Sequence, residues 1–165
     1  HPPHLKEKII ALNQLCYQNA FEELPFPLHF IPMEHEPQFI PETSIEIHPY
    51  AMLHQKEWLC LGYKIQFPTQ QALAYTGDTA WNDNLILLAQ NTDLFICECS
   101  YFDHVPAGMA HLSYQQIMSQ KDQLKTKQIL LTHLSPDMFH NQIKSELPIA
   151  YDGLTIDIPY CVAES

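Results

Sequence analysis

Four residues of this 165-residue chain have the types and placements needed for metal-assisted hydrolysis: His54, Asp78, His111 and His133. Asp78 stands in Tyr75-Thr76-Gly77-Asp78-Thr79, directly after an apolar, β-prone run. His133 closes Gln128-Ile129-Leu130-Leu131-Thr132-His133, and His54 closes Tyr50-Ala51-Met52-Leu53. Ligands at strand tips sit on rigid backbone and can share one rim of a sheet. Imidazole and carboxylate are also the donors that keep zinc Lewis-acidic and able to acidify water. His111, in Ala110-His111-Leu112-Ser113, reads as the start of a helix. There it can give a proton to a leaving group or steady developing negative charge.

Each of the four also has a plainer reading. Asp78 and Thr79 are turn and helix-capping types, and Gly77 lets the chain turn beside them. His133 alone can be a buried histidine bonded to backbone, His54 a hairpin residue, and His111 a capping or surface residue. The common position of His54, Asp78 and His133 after apolar strands favours a shared site over separate plain roles. Glu98, in Ile96-Cys97-Glu98-Cys99, is an acid inside an apolar strand and faces away from both cysteines. If buried, it has to accept hydrogen bonds or orient a ligand; otherwise that strand face is exposed. His29, His35, His48, His104 and His140 read as structural or surface residues.

The surrounding pattern supplies elements to position these groups. A helix is predicted over 4–21, with Leu5, Ile9, Leu12, Leu15 and Cys16 at helical spacing. A short strand is predicted over 28–33. An antiparallel pair follows over 44–53 and 57–67, with Ile45, Ile47, Leu59, Leu61, Tyr63, Ile65 and Phe67 on the core face. From residue 72 strands and helices alternate: strands at 73–75, 94–99, 129–132 and 154–158, helices at 83–90, 111–124 and 136–147. Helices between short apolar strands predict an α/β layer sandwich.

The formal charge is −11, from 19 acids against 8 Lys and Arg. That counts against a nucleic-acid partner, which needs clustered cations, while a bound divalent ion would offset part of the charge. No apolar run approaches the roughly 20 residues that cross a bilayer, so no membrane partner is expected. Five cysteines (Cys16, Cys60, Cys97, Cys99 and Cys161) include no CxxC pair and read as buried free thiols in a reducing, cytoplasmic compartment. The chain opens His1-Pro2-Pro3-His4, without Met or signal peptide, and further chain is expected upstream.

The order of these segments resembles the C-terminal half of the metallo-β-lactamase fold, in its ribonuclease Z and phosphodiesterase branch. The resemblance is carried by His54 ahead of Leu61-Gly62-Tyr63, by Gly77-Asp78-Thr79 and by Ile96 to Tyr101 with its acid. It continues through His111-Leu112-Ser113, Leu131-Thr132-His133-Leu134-Ser135 and Tyr151-Asp152-Gly153-Leu154. Pro2-Pro3 and the helix after them resemble the family's Gly-Pro-Pro segment. The resemblance implies an αββα sandwich and a metal-dependent hydrolase that uses a metal-bound hydroxide. It implies His54 on one metal, Asp78 bridging two metals, His133 on the second, and His111 assisting phosphodiester cleavage. Two zinc ions are implied for the intact protein, with manganese or iron as substitutes.

The family's His-x-His-x-Asp-His segment is not in this chain. Residues 1–165 are therefore expected to form a single partial domain, the C-terminal half, with the first half and one sheet face elsewhere. The short link from Gly62 to Leu73 leaves no room for the long tRNA-gripping arm of ribonuclease Z. A small phosphodiester is therefore the preferred substrate. The alternative is a non-catalytic half-domain that pairs with another chain, which leaves room for a homo-oligomer.

Overall fold

The computed structural model describes residue 2 and residues 5–17 and 20–158. His1, Pro3, His4 and Cys161, and residues 18 and 19 of the predicted helix, lie outside the described residues. One six-stranded sheet organises the chain in the order β1 (Gln38–Phe39), β2 (Glu46–Met52), β3 (Cys60–Gln66), β4 (Ala72–Tyr75), β5 (Leu94–Glu98) and β6 (Ile129–Thr132). Strands β1 to β4 pair antiparallel, whereas β4, β5 and β6 run parallel. Two reversals separate β2 from β4, so β2, β4, β5 and β6 all finish at one rim. Ligand sites of open α/β sheets form at such carboxyl ends.

The parallel crossovers carry helices α2 (Asn84–Ala89) and α3 (Tyr114–Gln120), and α4 (Pro136–Asn141) follows β6. Leu85 and Leu88 of α2, Ile117 of α3 and Met138 of α4 bury against Ala74, Phe95, Cys97, Ile129 and Leu131, which share one sheet face. Gly62 opens the same face to α2: a Cβ there would meet the Thr76 carbonyl at 2.9 Å and Leu88 Cδ2 at 3.0 Å.

The alternating apolar residues of β2 and β3 point away from this core. Ile47, Tyr63 and Ile65 line the opposite face with Tyr75, around a groove of about 790 Å³ bordered by the segment 27–42. The face expected to hold the core is thus the more open one, because strand alternation marks an apolar face without saying which layer covers it.

Several predicted elements differ in the structure. α1 spans Leu5–Tyr17, but the residue it buries is Asn13, whose Oδ1 accepts from the Phe21 amide, and Leu12, Leu15 and Cys16 face outward. Its inward line runs Leu5–Ile9–Asn13, a four-residue step that the apolar count obscured. Residues 28–33 form no strand, since Pro27 and Pro32 interrupt ladder pairing. Residues 154–158 form none either. The free edge of β6 is taken by residues 148–150, with the Leu131 amide donating to the Pro148 carbonyl and the Ala150 amide to the Leu131 carbonyl. The 136–147 helix stops at Asn141 and continues as a 3-10 turn over Gln142–Lys144. Cys97 and Cys99 are buried free thiols as expected, but Cys16 is exposed and Cys60 half-buried.

Candidate metal centre

The rim is assembled by a chain of buried hydrogen bonds. Thr76 leaves β4 with its amide on the Ile96 carbonyl, and its hydroxyl accepts from the Glu98 amide at 3.0 Å. Gly77 follows at φ +61°, a left-handed turn that glycine adopts without strain, and delivers Asp78 to the rim. Thr79 is fully buried. Its hydroxyl accepts from the Leu53 amide at 3.0 Å, while the Ala80 amide donates to the Leu53 carbonyl at 2.7 Å. The end of β2, which carries His54, is thereby tied to the loop that carries Asp78.

His133 leaves β6 in the left-handed region at φ +57°. A histidine there pays a steric penalty that surrounding structure must offset, and such residues gather at functional sites. The Ser100 hydroxyl, within 3.1 Å of the His133 carbonyl, helps hold this turn, as does the Ser135 amide on the Ser100 carbonyl.

Three of the four predicted residues meet at one carboxylate oxygen. His54 Nε2 lies 3.8 Å and His133 Nε2 3.5 Å from Asp78 Oδ2. The ring of His111 sits between those of the two histidines, with centroids 5.2 Å from His54 and 5.4 Å from His133. His54, Asp78 and His111 can also each present one ligand atom within 4.8 Å of the others.

The donor set fits a divalent cation. The Ala110 carbonyl only accepts, so His54 Nδ1, 3.0 Å away, carries the hydrogen. That leaves Nε2 facing Asp78 Oδ2 at 3.8 Å, and the neutral imidazole offers there the unprotonated nitrogen that binds a cation. A backbone carbonyl on the other ring nitrogen is also the usual partner of a metal-binding histidine. Donors about 2.0–2.2 Å from a tetrahedral zinc are roughly 3.3–3.6 Å apart, close to the 3.5 Å between His133 Nε2 and Asp78 Oδ2 and a little under the 3.8 Å between His54 Nε2 and Asp78 Oδ2.

His111 is oriented differently from the expectation. It precedes Ser113, the N-cap of α3, by two residues, and Ser113 Oγ accepts from the Gln116 amide. The helix therefore begins at Tyr114, and what fixes the ring is Glu98: His111 Nδ1 donates to Glu98 Oε1 at 2.9 Å. Glu98 is 1% exposed and also accepts from the Thr79 amide at 2.7 Å and the Leu112 amide at 3.0 Å, with the Ser100 hydroxyl at 3.3 Å. These donors stabilise a carboxylate that burial alone would disfavour. His111 Nε2 is left for chemistry.

Thr76 and Thr79 bridge to β5 and β2 through their hydroxyls, and nothing in the Thr-Gly-Asp-Thr run marks that role. The left-handed backbone of His133 has no sequence signal at all. His29, His35, His104 and His140 are exposed, His104 on the cleft that His111 also lines, and His48 is half-buried beside Glu46 at 3.3 Å.

The model of the β-lactamase superfamily domain matches residues 7–134. The chain belongs to that family. An uncharacterized protein of Mycobacterium leprae is 32% identical over 116 residues, 69% of this chain and 40% of the relative. A ribonuclease Z of Alkaliphilus oremlandii is 30% identical over 100 residues, 53% of this chain and 32% of the relative. The crystal structure of the metallo-β-lactamase fold protein YhfI of Bacillus subtilis superimposes with a TM-score of 0.65 at 21% identity, over 84% of this chain and 61% of that one. The chain thus spans less than two thirds of the length of the relatives it matches. Its mixed α/β sheet is that of the metallo-β-lactamase fold, and its family is one of metal-dependent hydrolases with ribonuclease Z-like members. No helix among the described residues is long and apolar enough to cross a membrane.

Proposed function

We propose that this chain supplies metal ligands and a proton donor to a hydrolase of small phosphodiesters. The observation that carries the proposal is the convergence of His54 Nε2 and His133 Nε2 on Asp78 Oδ2, at 3.8 and 3.5 Å, beside an imidazole held by a buried carboxylate. His54 and His133 would each hold a metal ion with Asp78 between them, two zinc ions by choice of ligands and manganese or iron as substitutes. Such an ion, when bound, polarises the phosphoryl oxygen and acidifies water.

The protein's own groups carry the remaining work. Water oxygen bonds to phosphorus, the bond to the departing ester oxygen breaks, and one water proton passes to solvent. His111 delivers a proton from Nε2 to the departing oxygen, and Glu98 keeps Nδ1 protonated and the ring aimed throughout. The formal charge of −11 favours a small diester over a nucleic-acid backbone. The free thiols Cys97 and Cys99 suit a reducing, cytoplasmic setting.

A second reading of His111 has its own support. Its possible ligand atom lies within 4.8 Å of those of His54 and Asp78, and a carboxylate behind the ring suits a metal ligand equally well. The variant His111→Ala separates the two. As proton donor, His111 is dispensable for metal binding, and its loss slows diester hydrolysis by about 10²–10⁴. As ligand, its loss lowers metal content as well. Full activity in this variant, at full metal content, would end the phosphodiesterase proposal.

A further inference from the structure

Two clefts border the candidate metal centre at His54 and His111. One, of about 620 Å³, is framed by the loop joining β2 to β3 and by residues 108–110, with His54 in its wall. The other, of about 610 Å³, has His111 in its wall. Ala80 and Met109 line both, so Met109 stands as a partition between them.

The two clefts differ in chemistry. Around the first stand three large apolar side chains in contact with water: Leu53 is 58% exposed, Trp58 57% and Met109 49%. Three such residues converging beside a polar cluster are the mark of a ligand pocket rather than of scattered surface. The Trp58 ring is held from α1, with Lys8 Nζ 3.1 Å from its centroid, a cation–π contact that fixes the indole in place. The charged residues in this wall, Lys56 and Glu57, are adjacent and opposite in sign, so the cleft offers no net charge to an ionic group. The second cleft is more polar, lined by Asp103, His104, Ser113, Gln115 and Gln116 together with Trp81.

We propose that the first cleft is the specificity pocket for the retained arm of the diester and takes a flat, uncharged, apolar group against Trp58. The leaving group occupies the polar cleft beyond Met109, where His111 reaches the departing oxygen. This assignment rests on the hydrolase reading above. It narrows the substrate to a diester with two chemically different arms, an aromatic one that stays on phosphorus and a polar one that leaves.

Two experiments on the full chain with its metal test it. The chain has two tryptophans, so Trp81→Phe leaves Trp58 as the one indole reporter. Titrated with benzyl(methyl)phosphinate, which has P–C bonds in place of both ester bonds and stands in for a diester with one aromatic arm, the Trp58 fluorescence should change. Binding should be about tenfold tighter than that of methyl(propyl)phosphinate. In turnover, bis(4-nitrophenyl) phosphate and methyl 4-nitrophenyl phosphate share a leaving group and differ in the retained arm. After correction for the two equivalent leaving groups of the first, the ratio of their kcat/KM values should favour the aromatic arm about tenfold. It should fall to near one in Trp58→Ala and be largely restored in Trp58→Phe. A Trp58 signal that ignores the benzyl compound, or an aromatic preference that survives Trp58→Ala, overturns the pocket. If neither ester is cleaved while the fluorescence preference holds, the pocket stands and the hydrolase reading falls.

Discussion

Replacing Glu98 with glutamine removes one oxygen from a carboxylate that is 1% exposed and fully engaged. Oε1 accepts from the Thr79 amide and His111 Nδ1, and Oε2 accepts from the Leu112 amide and faces the Ser100 hydroxyl. A glutamine has to put its NH₂ group in one of these places. His111 can switch tautomer and Ser100 can turn its hydroxyl, but a backbone N–H cannot reverse. Either orientation therefore leaves one buried amide, Thr79 or Leu112, facing another donor. An orphaned buried donor costs about 1–3 kcal/mol, and the remaining bonds lose their charge assistance, a further ~1 kcal/mol. The expected destabilisation is roughly 2–4 kcal/mol, read from urea unfolding at constant m-value. The variant should also lose activity through His111. Adding His111→Ala to Glu98→Gln should slow diester hydrolysis little beyond His111→Ala alone, the non-additivity of groups that act as a unit. A loss of stability under about 1 kcal/mol, or rate effects that simply multiply, would refute the reasoning.

Two further outcomes test the packing. Gly62→Ala puts a Cβ 2.9 Å and 3.0 Å from the Thr76 and Tyr75 carbonyls, backbone atoms that cannot step aside, and should destabilise by about 1–3 kcal/mol in calorimetry. Burial, with the neighbouring Glu98 adding to it, pushes the Cys99 thiol up to about 12, and burial followed by Cys99 and Glu98 raises Cys97 well above its ordinary value. Both thiols stay protonated at pH 8, so iodoacetamide on the native protein should label exposed Cys16 and spare Cys97 and Cys99, as mass spectrometry of the peptides would show.

The sequence carried the site better than the layers around it. His54, Asp78 and His133 were legible because each follows an apolar run, and strand tips at one rim leave few places for side chains to go. The sheet's helix-covered side was legible at Cys97 and Cys99, whose two-residue spacing fixes a common face. It was misread at Ile47, Tyr63 and Ile65, where alternation shows that one face is apolar and cannot say what covers it. Residues 154–158 have strand-like alternation too, but the edge they would join is already paired with 148–150. The means of aiming His111 was half legible. An acid within Ile96-Cys97-Glu98-Cys99 announced a bonded carboxylate, but only the fold brings it within 2.9 Å of a histidine that the helix pattern had placed inside α3.

The central claim is that His54, Asp78 and His133 hold metal at this rim, with Asp78 between the two imidazoles, and metal content tests it most directly. After equilibration with zinc and dialysis against metal-free buffer, the protein should retain zinc at near-stoichiometric level. Asp78→Ala, which removes the oxygen that both imidazoles face at 3.5 and 3.8 Å, should retain almost none while keeping its fold by circular dichroism. Equal zinc in the two proteins, or none in either, would contradict the account.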